Sequence, residues 1–310
     1  MKYAVLFPGQ GSQRVGMGAD LFGARPDLLV DVSDRVLGWS LRDVCLEGPE
    51  ERLTATEHAQ PALYALAYQL WTELSERVGH PPVAAAGHSL GEYTALAASG
   101  AFSFETGLGL VDRRARAMAD AVARVDSGMA ALLGVSDEVA HQVAADRRLE
   151  GGRLWVANRN APGQVVVAGA LEDIGWLVRN ARHLGIRRAI ELEVAGAFHT
   201  PLMEPAVSSL AAALSGVGIR PLAFPVWANV SARPMASGEV KEMLSRQITA
   251  PVRFGETLRG MADAGVEAFV HVGPGDVTAG LARRAVRGCR VLVASSIGDV
   301  EEVAGRLDRS

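Results

Sequence analysis

Short apolar runs along the chain alternate with longer stretches whose apolar positions recur every three or four residues, the signature of strands set among helices. Tyr3–Phe7 reads as a buried strand stopped by Pro8-Gly9. From Gln60 to about Arg77, Leu63, Leu66, Leu70 and Leu74 fall on one helical stripe. Val83–Ala86 is a strand of small residues running into Gly87-His88-Ser89-Leu90-Gly91, after which Gly91–Gly100 and Glu105–Val125 read as helices. Strand, helix, strand, tight turn, helix is the rhythm of a doubly wound α/β sheet.

The rhythm changes after Asp126. Met129–Val135, Leu154–Asn158, Gln164–Gly169 and Arg188–Val194 read as strands, with helices near Glu138–Ala145 and Glu172–Leu184. The order β-α-β-β-α-β is that of a ferredoxin-like unit, so residues 126–195 are expected to form a small inserted subdomain. Residues 1–125 and 196–310 would then form the larger domain. In its second part Met203, Val207, Leu210 and Leu214 share one face of a helix from Pro201 to Leu214. Strands are expected at Phe224–Val230, Ala268–Val272 and Arg290–Ala294, and a frayed tail at Asp308-Arg309-Ser310.

With 310 residues, 49% hydrophobic and 21% charged, the chain can bury a large core and lacks the composition of a disordered protein. A net charge of −4 argues against non-specific nucleic-acid binding, so any basic docking surface must be local. Cys45 and Cys289 have no CxxC or Cys/His spacing, which leaves neither a disulfide framework nor a metal site. The apolar run at the N-terminus is too short for a signal peptide, and no stretch reaches the roughly 20 apolar residues of a membrane helix. The expectation is a cytoplasmic protein with no metal, nucleic-acid or membrane partner.

Gly87-His88-Ser89-Leu90-Gly91 fits G-x-S-x-G with a strand before it and a helix after it. That context turns a common tripeptide pattern into a nucleophile elbow, with the serine hydroxyl raised above the carboxyl edge of the sheet. A serine needs a base to take its proton. Of the seven histidines, His58, His80, His141, His183 and His271 read as structural or surface residues, and His88 as packing for the elbow. His199 lies in a Gly/Ala-rich loop between a strand and a helix, and is the candidate base.

The longer string Gly87-His88-Ser89-Leu90-Gly91-Glu92-Tyr93 resembles the nucleophile motif of malonyl-CoA:acyl carrier protein transacylases and polyketide synthase acyltransferases. Phe7-Pro8-Gly9-Gln10-Gly11-Ser12-Gln13 is similar to their N-terminal motif. Further similar stretches are Gln60-Pro61-Ala62-Leu63, Asn160-Ala161-Pro162-Gly163-Gln164-Val165-Val166, Ala197-Phe198-His199 and Val272-Gly273-Pro274-Gly275. They follow the family's order across nearly the whole chain. The Phe198-His199 pair looks most like that of discrete acyltransferases serving modular polyketide synthases in trans. The resemblance implies an α/β-hydrolase-like parallel-sheet domain carrying the ferredoxin-like insert.

It also implies a function: transfer of malonyl from malonyl-CoA to the phosphopantetheine thiol of an acyl carrier protein, with no bound cofactor. Ser89 and His199 match the family's nucleophile and base, and the backbone amides of Gln10 and Leu90 its oxyanion hole. The family's histidine is oriented by a main-chain carbonyl, which is expected near Thr249-Ala250-Pro251. A hydrolase clearing carrier-bound acyl groups, or a transferase of larger acyl groups, would share Ser89 and His199 but would not need a buried arginine.

Arg114 separates these readings. Arg116 has Asp112 and Asp120 four residues to either side and lies on a charged face. Arg114 has Leu110 and Met118 at those offsets and faces inward. Its partner is either an internal carboxylate or, as the resemblance implies, the substrate's carboxylate, which a guanidinium binds bidentately. Phe198 is either plain packing or, as in the family, a bulky neighbour favouring malonyl over α-methyl substrates. The family's carrier proteins are acidic. Arg182, Arg187 and Arg188, with Arg179, form one candidate docking patch and Arg283, Arg284 and Arg287 a second, against the plainer reading of solvated charged faces.

Overall fold

A computed structural model describes residues 1–308 of the chain. Its central sheet has the order β7-β2-β1-β8-β9, with every pair parallel. These strands are β1 (Tyr3–Phe7), β2 (Ala84–Gly87), β7 (Val226–Trp227), β8 (Ala268–Val272) and β9 (Arg290–Ala294). All five residues of β1 and of β8 are buried. Continuous apolar strands of this kind belong in a parallel sheet covered on both faces. Because Phe7 pairs with Gly87, the loops after β1 and β2 leave the same edge of the sheet side by side. The two glycine-bearing motifs therefore meet.

A second sheet is built from β3 (Ser127–Leu133), β4 (Leu154–Ala161), β5 (Gln164–Ala170) and β6 (Arg188–Leu192). It is antiparallel in the order β4-β5-β3-β6. Helices Asp137–Leu149 and Leu171–Asn180 alternate with the strands in the order read from the sequence. One face of this sheet packs on those helices through Leu132, Val167, Ile174 and Leu177. The other face turns Met129, Val166, Ala168 and Leu192 toward the main core, as the two-residue period of a strand requires.

Several boundaries differ from expectation for identifiable reasons. The first long helix spans Thr56–Arg77 and runs through Pro61, rather than starting beside it. β3 ends at Leu133 because Gly134 turns the chain with φ 71. The helix Leu171–Asn180 stops short of Leu184, where a turn closes on the Ile186 N–H to Ala181 carbonyl bond. The strand expected over Phe224–Val230 shrinks to Val226–Trp227, which pairs with β2 on one side and is bridged by Pro234 on the other. Beyond it the backbone folds back, with Ala232 at φ 52, and delivers Asn229 beneath the elbow. The tail expected to fray divides: Asp308 is the last residue of the helix Ile297–Asp308, and Arg309 and Ser310 lie outside the described residues. Among the described residues, no helix is long and apolar enough to cross a membrane.

The elbow depends on very close backbone contact. A Cβ on Gly91 would lie 2.3 Å from the Phe7 carbonyl oxygen and 2.7 Å from that of Pro8. Neither backbone can retreat without breaking the sheet. Gly91→Ala should therefore cost about 3 kcal/mol or more, at or beyond the upper end of ordinary overpacking. Gly216→Ala, with nothing within 4 Å of its Cβ and φ −79, should be neutral or slightly stabilising. Urea denaturation of both variants checks this, and equal small effects would contradict the packing of the elbow under β1.

Candidate active site

Ser89 follows β2 and precedes the helix Gly91–Ala98. Its φ of 51 lies in the left-handed region, which costs a non-glycine residue roughly 1–2 kcal/mol. Asn229 and Gln247 hold it there. Asn229 Oδ1 accepts from the Ser89 N–H at 2.7 Å while its Nδ2 donates to the Gly87 carbonyl at 2.7 Å. Gln247 Nε2 donates to the Ser89 carbonyl at 2.9 Å. Asn229 and Gln247 are completely buried.

His199 also has a positive φ, 59. Its Nε2 lies 2.7 Å from Ser89 Oγ and its Nδ1 2.8 Å from the Gln247 carbonyl oxygen. Since a carbonyl can only accept, Nδ1 carries the proton and Nε2 is free to accept from the serine hydroxyl. The orienting carbonyl at hydrogen-bond distance is that of Gln247, two residues before the Thr249-Ala250-Pro251 segment near which it was expected, and the Ala250 backbone in that segment also interacts with the ring. Burial, followed by the charge of Arg114, pushes the His199 pKa down to about 3. The resting imidazole is neutral, the form a general base requires.

Arg114 is 1% exposed, in the helix Phe104–Val122 between buried Leu110 and Met118. Its Nη1 donates to Gln60 Oε1 at 2.5 Å, and its Nη2 to Ser89 Oγ and Gln247 Oε1, both at 3.0 Å. Nε donates to nothing. Every partner is neutral, and no ion pair of the described residues includes Arg114. The internal salt bridge left open by the sequence is absent among those residues. No carboxylate bonds this buried cation directly, an unfavourable arrangement, and the guanidinium faces a cavity of about 180 Å³.

That cavity is lined by Gln10, Ser89, Leu90, Arg114, Phe198 and His199 together. Gly9 lets β1's loop reach the elbow, since a Cβ there would lie 2.4 Å from the His88 carbonyl oxygen. The backbone N–H groups of Gln10 and Leu90 donate no hydrogen bond among the described residues. Leu90 immediately precedes the helix Gly91–Ala98, where free amides and the helix dipole favour negative charge. Phe198 is 6% exposed. His88 also reaches the cavity, but its Nε2 meets Asn160 Oδ1 at 2.8 Å and its ring packs edge-on against Phe254. The other five histidines line no part of it.

The second sheet and the helix Val277–Ala285 wall the cavity mouth, through Met129, Val166, Leu192, Val277 and Leu281. Arg182, Arg187 and Arg188 are all exposed and in no ion pair of the described residues. They are not equivalent. Arg188 pairs with Leu133, which pairs with the cavity-lining Gln164, and directly opposed residues share a sheet face. Arg188 is therefore on the cleft side. Arg187 lies in the bend before β6, and Arg182 in the turn leading to it. From the second candidate patch, Arg284 Nη1 donates to Gln164 Oε1 at 2.6 Å.

Among the buried polar residues around Ser89, Gln60, Glu92, Asn229 and Gln247 had no role assigned from sequence. Gln60 and Glu92 interrupt apolar helical stretches, a signal that could have marked them. Asn229 and Gln247 sit at the ends of short elements, where polar residues are ordinary.

Residues 5–310 match the family model described as the acyl transferase domain. A malonyl CoA-acyl carrier protein transacylase of Bacillus subtilis is 39% identical over 303 residues, covering 97% of this chain and 95% of that protein. The polyketide biosynthesis protein ThaF of Burkholderia thailandensis is 40% identical over 282 residues, 91% of this chain and 24% of that longer protein. A solved structure of a type II polyketide synthase acyl-carrier protein in complex with its malonyl-transacylase aligns with TM-score 0.93 and 33% identity, covering 99% of this chain and 100% of the other.

A neutral, buried His199 makes Ser89 reactive over an unusually wide pH range. The rate of Ser89 labelling by an uncharged fluorophosphonate should stay level from pH 8 to about pH 5. It should fall only as the ring protonates toward its pKa of about 3. His199→Ala should slow labelling by about 10²–10⁴-fold. An inflection near 6.5 in the unmodified protein would contradict the assigned environment.

Proposed function

We propose that this chain, which belongs to the acyl transferase domain family, transfers a malonyl group from malonyl-CoA to the phosphopantetheine thiol of an acyl carrier protein. Ser89 Oγ attacks the thioester carbonyl while His199 Nε2 takes its proton. The oxyanion faces the free amides of Gln10 and Leu90. Collapse expels the coenzyme A thiolate, which leaves as the thiol with the proton from His199, and malonyl-Ser89 remains. The carrier's thiol then enters and gives its proton to His199. Its sulfur displaces Ser89, which regains the proton. Each step moves only protons and the acyl group between these residues and the two substrates, so the reading includes no bound cofactor or metal. A cytoplasmic setting, where both substrates occur, is part of the same proposal, as is service to polyketide or fatty-acid synthesis.

The observation that carries the malonyl assignment is Arg114, buried beside Ser89 Oγ with neutral partners only. A free carboxylate on the acyl group supplies an anion that can bond the guanidinium directly. A hydrolase, or a transferase of larger neutral acyl groups, gives this arginine nothing to bind. Phe198 closes the cavity beside the base and narrows the space for an α-methyl branch, a steric preference of about 1–3 kcal/mol.

Arg114→Ala should lower kcat/KM for malonyl-CoA by about 2–5 kcal/mol of transition-state binding, roughly 30-fold or more, and spare acetyl-CoA. Equal loss for both substrates would make the arginine structural and remove the malonyl assignment.

The carrier approaches through the same mouth, and Arg188 and Arg284 flank it. Joint Arg188→Glu and Arg284→Glu changes should raise the carrier KM several-fold at low salt, an effect that shrinks as salt is added. Self-malonylation at saturating malonyl-CoA should be nearly unaffected. Joint Arg182→Glu and Arg187→Glu changes, in the turn and bend before β6, should do less. The reverse ranking would move the docking surface to the turn that precedes β6.

A further inference from the structure

Glu92 has no part in the steps above, yet it is fully buried in the first turn of the helix that carries the elbow. Its Oε2 accepts from the Asn229 N–H at 3.0 Å and from Gln247 Nε2 at 2.8 Å. The same Gln247 amide presents Oε1 to Arg114 Nη2 at 3.0 Å. Guanidinium, amide dipole and carboxyl group thus run head to tail, joining a cation to an acid through one polarised link.

Glu92 Oε1 has no partner. Ionised, Glu92 leaves a charged oxygen without a donor; protonated, it leaves an O–H without an acceptor. Fixed neighbours favour neither form decisively, so the charge state follows the net charge around Arg114.

We propose that Glu92 is the resident counter-ion of Arg114, coupled to it through the Gln247 amide, and that it takes up one proton from solvent when an acyl group bearing a free carboxylate binds Arg114. The proposal rests on the reading of Arg114 as the malonyl carboxylate's partner. With malonyl bound, the guanidinium is already neutralised, and a second buried anion becomes unfavourable. Binding and protonation are then linked in both directions.

Burial is the main cause raising the Glu92 pKa to about 7, opposed by the bonds from Gln247 and Asn229 and by the charge of Arg114. Burial also shifts the other titratable groups packed around it. His199 is pushed down to about 3, His88 is lowered and Tyr93 raised by burial, and Arg114, also lowered by burial, is the cation itself. The sign follows. Malonyl binding should weaken as pH rises through about 7, because more of the free protein must first gain a proton.

The test is the ratio of kcat/KM for malonyl-CoA to that for acetyl-CoA between pH 5.5 and 8.5. Both substrates carry the same coenzyme A phosphates, so their titration cancels. The ratio should fall several-fold with rising pH in the unmodified protein and be flat in Glu92→Gln, which keeps two acceptor bonds without the charge. A second measurement needs no variant: stoichiometric loading in weak buffer near pH 7, read with an indicator dye, should take up a fraction of a proton with malonyl-CoA and none with acetyl-CoA. A flat ratio or equal uptake overturns the proposal. If malonyl preference still depends on Arg114, only the role of Glu92 fails. If Arg114→Ala costs both substrates equally, the functional reading fails first.

Discussion

Ser89 keeps a left-handed backbone because two buried amides hold its peptide groups, and the rest of the site is built outward from that clamp. Asn229 ties its N–H to the end of β2. Gln247 ties its carbonyl, and the same residue's main-chain oxygen orients His199 while its side chain meets Arg114 and Glu92. Nucleophile, base and arginine therefore share one support. Strain at Ser89 and His199 is carried by fully satisfied polar partners, the condition under which such strain persists in a folded protein.

The electrostatics follow from burial. The cavity places a neutral imidazole and a guanidinium around one hydroxyl, in a region where charges interact far more strongly than in water. Arg114 lowers the basicity of His199, which keeps the base unprotonated, and its Nη2 contact leaves Ser89 Oγ one remaining task, to donate to Nε2. On the proposed reading, the same contact would set an acyl group's distal carboxylate and its reacting carbon a short span apart. Charge on the acyl group can thus act on positioning as well as on affinity.

Much of this was legible in the sequence. β1, β8 and β9 were read to the residue, because continuous apolar runs bounded by Pro, Gly or charge have few alternatives. The elbow was readable because G-x-S-x-G came with its strand and helix, and Arg114 because its neighbours four residues away are apolar. What escaped has a common cause. The side-chain amides of Asn229 and Gln247 act on main-chain groups brought together by the fold, and no periodicity marks them. The carbonyl facing His199 could be placed only to a neighbourhood, since any residue can supply one: Gln247 makes the close bond just before the expected segment, and Ala250 within it interacts as well. Edge strand β7 was read too long because its apolar run continues into a turn whose purpose is to place Asn229.

The central claim is that one serine, beside one buried arginine, selects an acyl group that carries a carboxylate. Incubating the protein with an equimolar mixture of malonyl-CoA and acetyl-CoA, followed by intact mass and peptide mapping, tests this directly. The account predicts a malonyl adduct in large excess, on the peptide carrying Ser89. An acetyl adduct of equal abundance, or a malonyl group on any other residue, would contradict it.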